Sequence, residues 1–105
     1  MLCFNNLFFE GDADEIYKMD PNKRNEILAL SNSPSRLMSR LEQEAPFFAT
    51  KSLIASRGSA AIDDVLAREQ KQNTLNLTPE NRQNLANVSS TFKRYSSGEL
   101  KELPE

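Results

Sequence analysis

Three of the five prolines in this chain directly follow a residue that caps helices: Asp20-Pro21, Ser33-Pro34 and Thr78-Pro79. A capping side chain accepts a hydrogen bond from an orphan N–H of the first turn, while proline at the first helical position gives up an N–H that had no partner anyway. Three such starts in 105 residues commit most of the chain to helix. The three glycines fit the other end of the same grammar. Gly11 follows "CFNNLFFE", where Cys3, Phe4, Leu7 and Phe8 share one helical face; Gly58 follows "FFATKSLIASR"; Gly98 follows the last long periodic segment. Asp12 then reads as an N-cap, with Glu15 completing a capping box.

This punctuation predicts helices over 2–10, 12–19, 21–31, 34–45, 47–57, 60–73 and 79–96. No segment alternates with period two and no Asn-Gly or Asp-Gly hairpin signal occurs. The expected fold is therefore all-α, a compact bundle of five to seven short helices forming one domain over 1–97, followed by an acidic tail at 98–105. Helix 34–45 carries Leu37, Met38 and Leu41 on one stripe. Ala45 before Pro46 is pushed out of the α region, so a corner is expected there, with Phe47 and Phe48 as its aromatic anchors. Phe47 lies close to Ile54 on the wheel and is expected inside; Phe48 lies beside the small Ala55 and is the better candidate to meet a partner. The last helix carries Leu85, Val88, Phe92 and Tyr95 at i, i+3, i+7 and i+10, a narrow stripe suited to one neighbouring helix or to a dimer seam.

Composition excludes more than it assigns. The chain has no histidine, which removes the commonest general base and the usual zinc and haem ligands, and its single cysteine, Cys3, allows neither an intrachain disulfide nor a thiolate cage. The acidic stretch "EGDADE" is not a calcium loop: Ile16 stands where the third oxygen ligand belongs, and no glycine or terminal glutamate follows at the required offset. Asp63 and Asp64 are expected near a helix start, where negative charge is favoured by the helix dipole. No Gly-rich phosphate loop is present. These readings leave no catalytic, cofactor-binding or metal-binding residue, and the chain is read as non-enzymatic.

A net charge of -2 disfavours a domain that binds mainly by neutralising phosphates. Residues 16–57 nonetheless hold seven basic residues against four acids, and "ATKSLIASRGSAAIDDVLAREQ" could form a helix-turn-helix with Gly58 in its turn. Its second helix would present Asp63 and Asp64 to phosphates, which is the wrong sign. The N-terminus has no basic region ahead of its apolar run and turns acidic at once, unlike a signal peptide, and no stretch is long enough for a membrane span. A cytoplasmic protein is expected.

The segment "SSTFKRYSSGELKELPE" has small polar residues, then Glu99, Glu102 and Glu105 with Leu103 near the end. This tail resembles the C-terminal export signals of type IV-secreted bacterial effectors. The resemblance covers the tail alone and implies translocation into a host cell; a plain solvated acidic tail fits the same residues. The reading that best joins these features is a helical protein-protein interaction protein, an adaptor, chaperone or inhibitor docking on another protein through an apolar helix face. It is either a bacterial effector or an effector regulator if the tail acts as the resemblance implies. The expected partner-binding residues are Phe48, Leu85, Val88, Phe92 and Tyr95, with a homodimer as a further possibility. The alternative is a helix-turn-helix DNA-binding regulator.

Overall fold

The computed structural model describes residues 14–44 and 50–105. Among them are five α-helices and no strand: α1 (Asp14–Lys18), α2 (Pro21–Ala29), α3 (Pro34–Glu44), α4 (Lys51–Gln72) and α5 (Pro79–Ser96), with a 3₁₀ turn over Leu30–Asn32 between α2 and α3. The expected helix over 2–10, the stop at Gly11, the cap at Asp12 and the corner at Pro46 with Phe47 and Phe48 lie outside the described residues.

The proline-led starts form as their chemistry requires. Asp20 Oδ2 accepts from the amides of Asn22 and Lys23, at 3.1 and 3.3 Å. Thr78 Oγ1 accepts from the amide of Asn81 at 3.0 Å. In the first turn of α3, Pro34 has no N–H, the Arg36 amide donates to Ser33 Oγ at 3.3 Å, and the Leu37 amide donates to the Ser33 carbonyl at 2.9 Å. Only the amide of Ser35 is left over, and the carbonyl of Pro104 accepts from it at 3.0 Å. The last turn of α5 is closed by Gly98, whose φ of +89° is a region that side chains with a Cβ rarely enter.

Gly58 departs from the expected pattern. It lies inside α4, which runs unbroken from Lys51 to Gln72, so the separate helices 47–57 and 60–73 are one helix capped by Thr50 and ended by Asn73 in the left-handed conformation. The physical reason is packing. Ile54, Ala55, Gly58, Ser59, Ala61, Ile62, Val65 and Glu69 are all buried, a single stripe of helical spacing that spans the glycine. That burial outweighs the roughly 1 kcal/mol that glycine costs in a helix interior. The absence of a side chain lets α5 come close: a Cβ at Gly58 would stand 3.4 Å from Cδ2 and Cε2 of Phe92 and 3.9 Å from Cδ1 of Leu41.

Helices α4 and α5 form an antiparallel hairpin joined by residues 73–78, shown by cross-links between Ser52 and Ser96 at one level and Ser59 and Ser89 at another. Most of the interhelical contact lies in this pair, and α3 with the 3₁₀ turn packs across it. The core joins Leu37, Met38 and Leu41 of α3 to Ile54, Ile62 and Val65 of α4 and to Leu85, Val88 and Phe92 of α5. Arg40 of α3 reaches Glu26 of α2 at 2.8 Å on the outside.

Three substitutions test this arrangement. Thr78→Ala should lower the unfolding free energy by about 1 kcal/mol, the usual loss for a missing N-cap. Gly58→Ala should leave stability unchanged or raise it by less than about 1 kcal/mol, because the helix gains propensity and the new methyl meets the Phe92 ring at ordinary contact distance; Gly58→Leu should destabilise by overpacking. Denaturant titrations of the three variants decide, and a large loss in Gly58→Ala would return Gly58 to the role of a helix terminator.

Candidate functional site

The structure places the expected partner-binding residues unevenly. Leu85, Val88 and Phe92 are buried against α4, with Phe92 fully enclosed, so the stripe on α5 is occupied within the chain itself. Tyr95, one turn further on, is only partly buried. Phe48 lies outside the described residues. Of the two occupants that its narrow width allowed, a neighbouring helix or a second copy, the stripe takes the neighbouring helix α4.

Two clusters of polar side chains could carry chemistry, and both are absorbed by the fold. Across the α4–α5 seam, Ser59 Oγ and Ser89 Oγ are 3.0 Å apart, Ser89 Oγ donates to Asp63 Oδ1 at 2.5 Å and Lys93 Nζ donates to Asp63 Oδ2 at 2.5 Å. Burial by itself would raise the Asp63 carboxyl, but hydrogen bonds from Lys93 and Ser89 and the charge of Lys93 outweigh it, holding the group below its ordinary value. A carboxylate so held is a poor base toward Ser89, and the cluster acts as a polar cross-link. Asp63 thus sits in mid-helix facing α5, not at a helix start, while Asp64 pairs with Arg68 one turn on at 3.3 Å.

The second cluster surrounds Glu69, which is 1% exposed. Its Oε1 accepts from the amide of Leu75 at 2.8 Å and its Oε2 from the Tyr17 hydroxyl at 2.9 Å. Arg68 lies over the Tyr17 ring, 5.8 Å from its centre. Burial would push the Glu69 carboxyl up, but hydrogen bonds from the Leu75 amide, Tyr17, the Thr74 amide and Gln72 hold it below the ordinary value. Burial, the hydrogen bond to Glu69 and that residue's charge raise the Tyr17 hydroxyl from 10.0 to about 12. The carboxylate therefore fastens the 73–78 loop and α1 to the end of α4. Among the described residues no buried side-chain polar atom is left without a partner, and no group of three or more candidate ligands stands ready for a metal ion.

At the other end of the hairpin the N-terminus of α4 meets the C-terminus of α5. The Ser52 hydroxyl donates to the Ser96 carbonyl there at 3.4 Å. A groove of about 200 Å³ is lined by Met38 and Glu42 of α3, Lys51 of α4, Tyr95 of α5, and Lys101 and Leu103 of the tail. Its charges are mixed, with Glu42 and Glu102 beside Lys51 and Lys101. Leu53, 39% exposed and the one large hydrophobic side chain left exposed among the described residues, belongs to the same end of α4. Sequence reasoning reached Tyr95 of this groove and missed Met38 and Leu103, whose convergence on it depends on how α3 and the tail fold back.

The acidic tail at 98–105 is largely exposed and touches the helices at a few points. Leu103 packs on the core, the Leu100 amide donates to the Arg94 carbonyl at 3.1 Å, and Arg94 Nε meets Glu99 Oε2 at 2.7 Å.

No protein family, curated protein or solved structure matches the chain. Among the described residues no helix is long and apolar enough to cross a membrane.

The buried pair makes stability depend on pH at both extremes. Glu69 is lowered on folding, so its contribution is present above the ordinary carboxyl range and lost as pH falls through the lowered value; Tyr17 is raised, so its contribution is present below pH 10.0 and lost as pH rises toward about 12. Glu69→Gln should cost about 1–2 kcal/mol near neutral pH and make the acid limb of the stability profile shallower. Tyr17→Phe should remove much of the alkaline limb. Unfolding free energies measured across pH check both, and unchanged limbs would mean that the pair is not formed in solution.

Proposed function

We propose that this protein is a non-enzymatic interaction protein, an adaptor, chaperone or inhibitor, that engages a segment of another protein at the open end of the α4/α5 hairpin. One observation carries the reading: a partly buried aromatic, Tyr95, lines a mixed-charge groove beside Met38 and Leu103, with the exposed Leu53 on the same end of α4. Aromatic side chains half set in a pocket and ringed by polar groups are the usual anchors of protein interfaces. The paired clusters around Asp63 and Glu69 support it too, because their polar atoms are spent on cross-linking the fold. If the tail acts as its resemblance to type IV export signals implies, the partner is a protein of a host cell; otherwise the partner shares the protein's own compartment.

The helix-turn-helix alternative loses the unit on which it stood. Residues 51–72 form one helix, so no turn at Gly58 separates a recognition helix from a support, and Asp63 is held by Lys93.

The test is site-specific crosslinking in the native cell. A photo-crosslinking residue in place of Leu53 or Tyr95 should trap the same protein, whereas one in place of Asn87, exposed on the far part of α5, should not. Capture should survive a rise from roughly 50 to 500 mM salt, since apolar docking is little screened and phosphate binding is steeply salt-dependent. Crosslinks from Asn87 alone, or nucleic acid captured only at low salt, would overturn the reading.

A further inference from the structure

We infer that residues 99–105 form a strap that closes one side of the groove and detaches without unfolding the domain, so that the groove alternates between a covered and an open form. The inference concerns regulation of the site proposed above and rests on that reading for its biological meaning, though not for its test.

The strap begins at Gly98, where the positive φ turns the chain back and no atom lies within 4 Å of the place a Cβ would take. What ties it down is small in number. The Ser35 amide donates to the Pro104 carbonyl at 3.0 Å, the Leu100 amide donates to the Arg94 carbonyl at 3.1 Å, and Leu103 is partly buried on the core. The Arg94–Glu99 pair is more than half exposed on both sides and adds little. Glu99, Lys101, Glu102, Pro104 and Glu105 are exposed. Ordering seven residues costs backbone entropy of the same order as these few contacts return, so closed and open forms lie close in free energy.

The position of the strap gives its opening a consequence. Pro104 satisfies the one amide in the first turn of α3 that neither Ser33 nor a helical bond reaches, so release hands that donor to solvent or to a partner's carbonyl. Leu103 lines the groove with Met38 and Tyr95, and its departure widens the groove onto those two side chains. Met38 is 1% exposed while the strap is closed. The closed form thus covers apolar surface that a docking segment needs, and an incoming segment competes with the chain's own Leu103 and Pro104.

Native-state hydrogen exchange on the purified protein tests this without any partner. The Ser35 amide should exchange at least about tenfold faster than that of Val88 in the core, because strap opening is local. Truncation after Glu102 should speed Ser35 by a further tenfold or so and leave Val88 unchanged; Leu103→Ala, which keeps the chain length, should move Ser35 in the same direction by about threefold. Ser35 exchanging as slowly as Val88 would overturn the inference, since the strap would then open only with the whole fold. Ser35 insensitive to both changes would overturn it as well, since the strap would not hold that amide. Confirmed exchange together with absent crosslinks from Leu53 and Tyr95 would fault the binding reading and leave the strap standing.

Discussion

The fold depends on the close approach of α4 and α5 where Phe92 lies against Gly58. A helix pair can come together only as far as its side chains allow, and here the facing positions are small: Ala55, Gly58 and Ser59 on α4 and Ser89 on α5. The space left open is filled by one large ring, fully enclosed, and Leu41 of α3 comes within 3.9 Å of the place a Cβ at Gly58 would take. Three helices meet at that glycine. The hydroxyls of Ser59 and Ser89, 3.0 Å apart, fix the register along the seam, because buried polar groups tolerate only the alignment that pairs them. A glycine that weakens a helix in isolation stays within one here, because the burial along α4 on both sides of it outweighs its cost.

A second constraint follows from the first. Once α4 runs on to Gln72, its far end must be joined to α5 through six residues, and the carboxylate of Glu69 organises that passage by accepting from the Leu75 amide. The same carboxylate binds Tyr17, so the start of the described chain is anchored to the hairpin's closed end. A buried charge is costly unless its lone pairs are filled, and Glu69 offsets its desolvation with several donors at once. The closed end is therefore bound by hydrogen bonds to a buried carboxylate, whereas the open end relies on exposed and half-buried contacts.

Charge distribution agrees with this division. Lys93 is consumed by Asp63 and Arg94 by Glu99. Lys51 and Lys101 share their groove with Glu42 and Glu102, so the groove carries no uniform charge.

The local grammar of the chain was legible from residue types alone. Asp20, Ser33 and Thr78 before proline, and the left-handed turn at Gly98, are decided by bonds within a few residues, and α5 begins at Pro79 and ends at Ser96 as the punctuation implies. The apolar stripes on α3 and α5 were legible for the same reason, since helical spacing is a property of the sequence. What covers those stripes was not. Leu85, Val88 and Phe92 suit either a neighbouring helix or a dimer seam until α4 is seen to be one helix of 22 residues, and the sequence reads as two helices there because glycine's intrinsic penalty is local while the burial that overrides it comes from α5 and α3. The tail likewise reads as a solvated acidic end until the one unfilled amide of α3 is found to need the Pro104 carbonyl. Local bonding set where helices start and stop; contacts between residues far apart in the chain decided which glycine to ignore, which stripe to bury and which end to leave open.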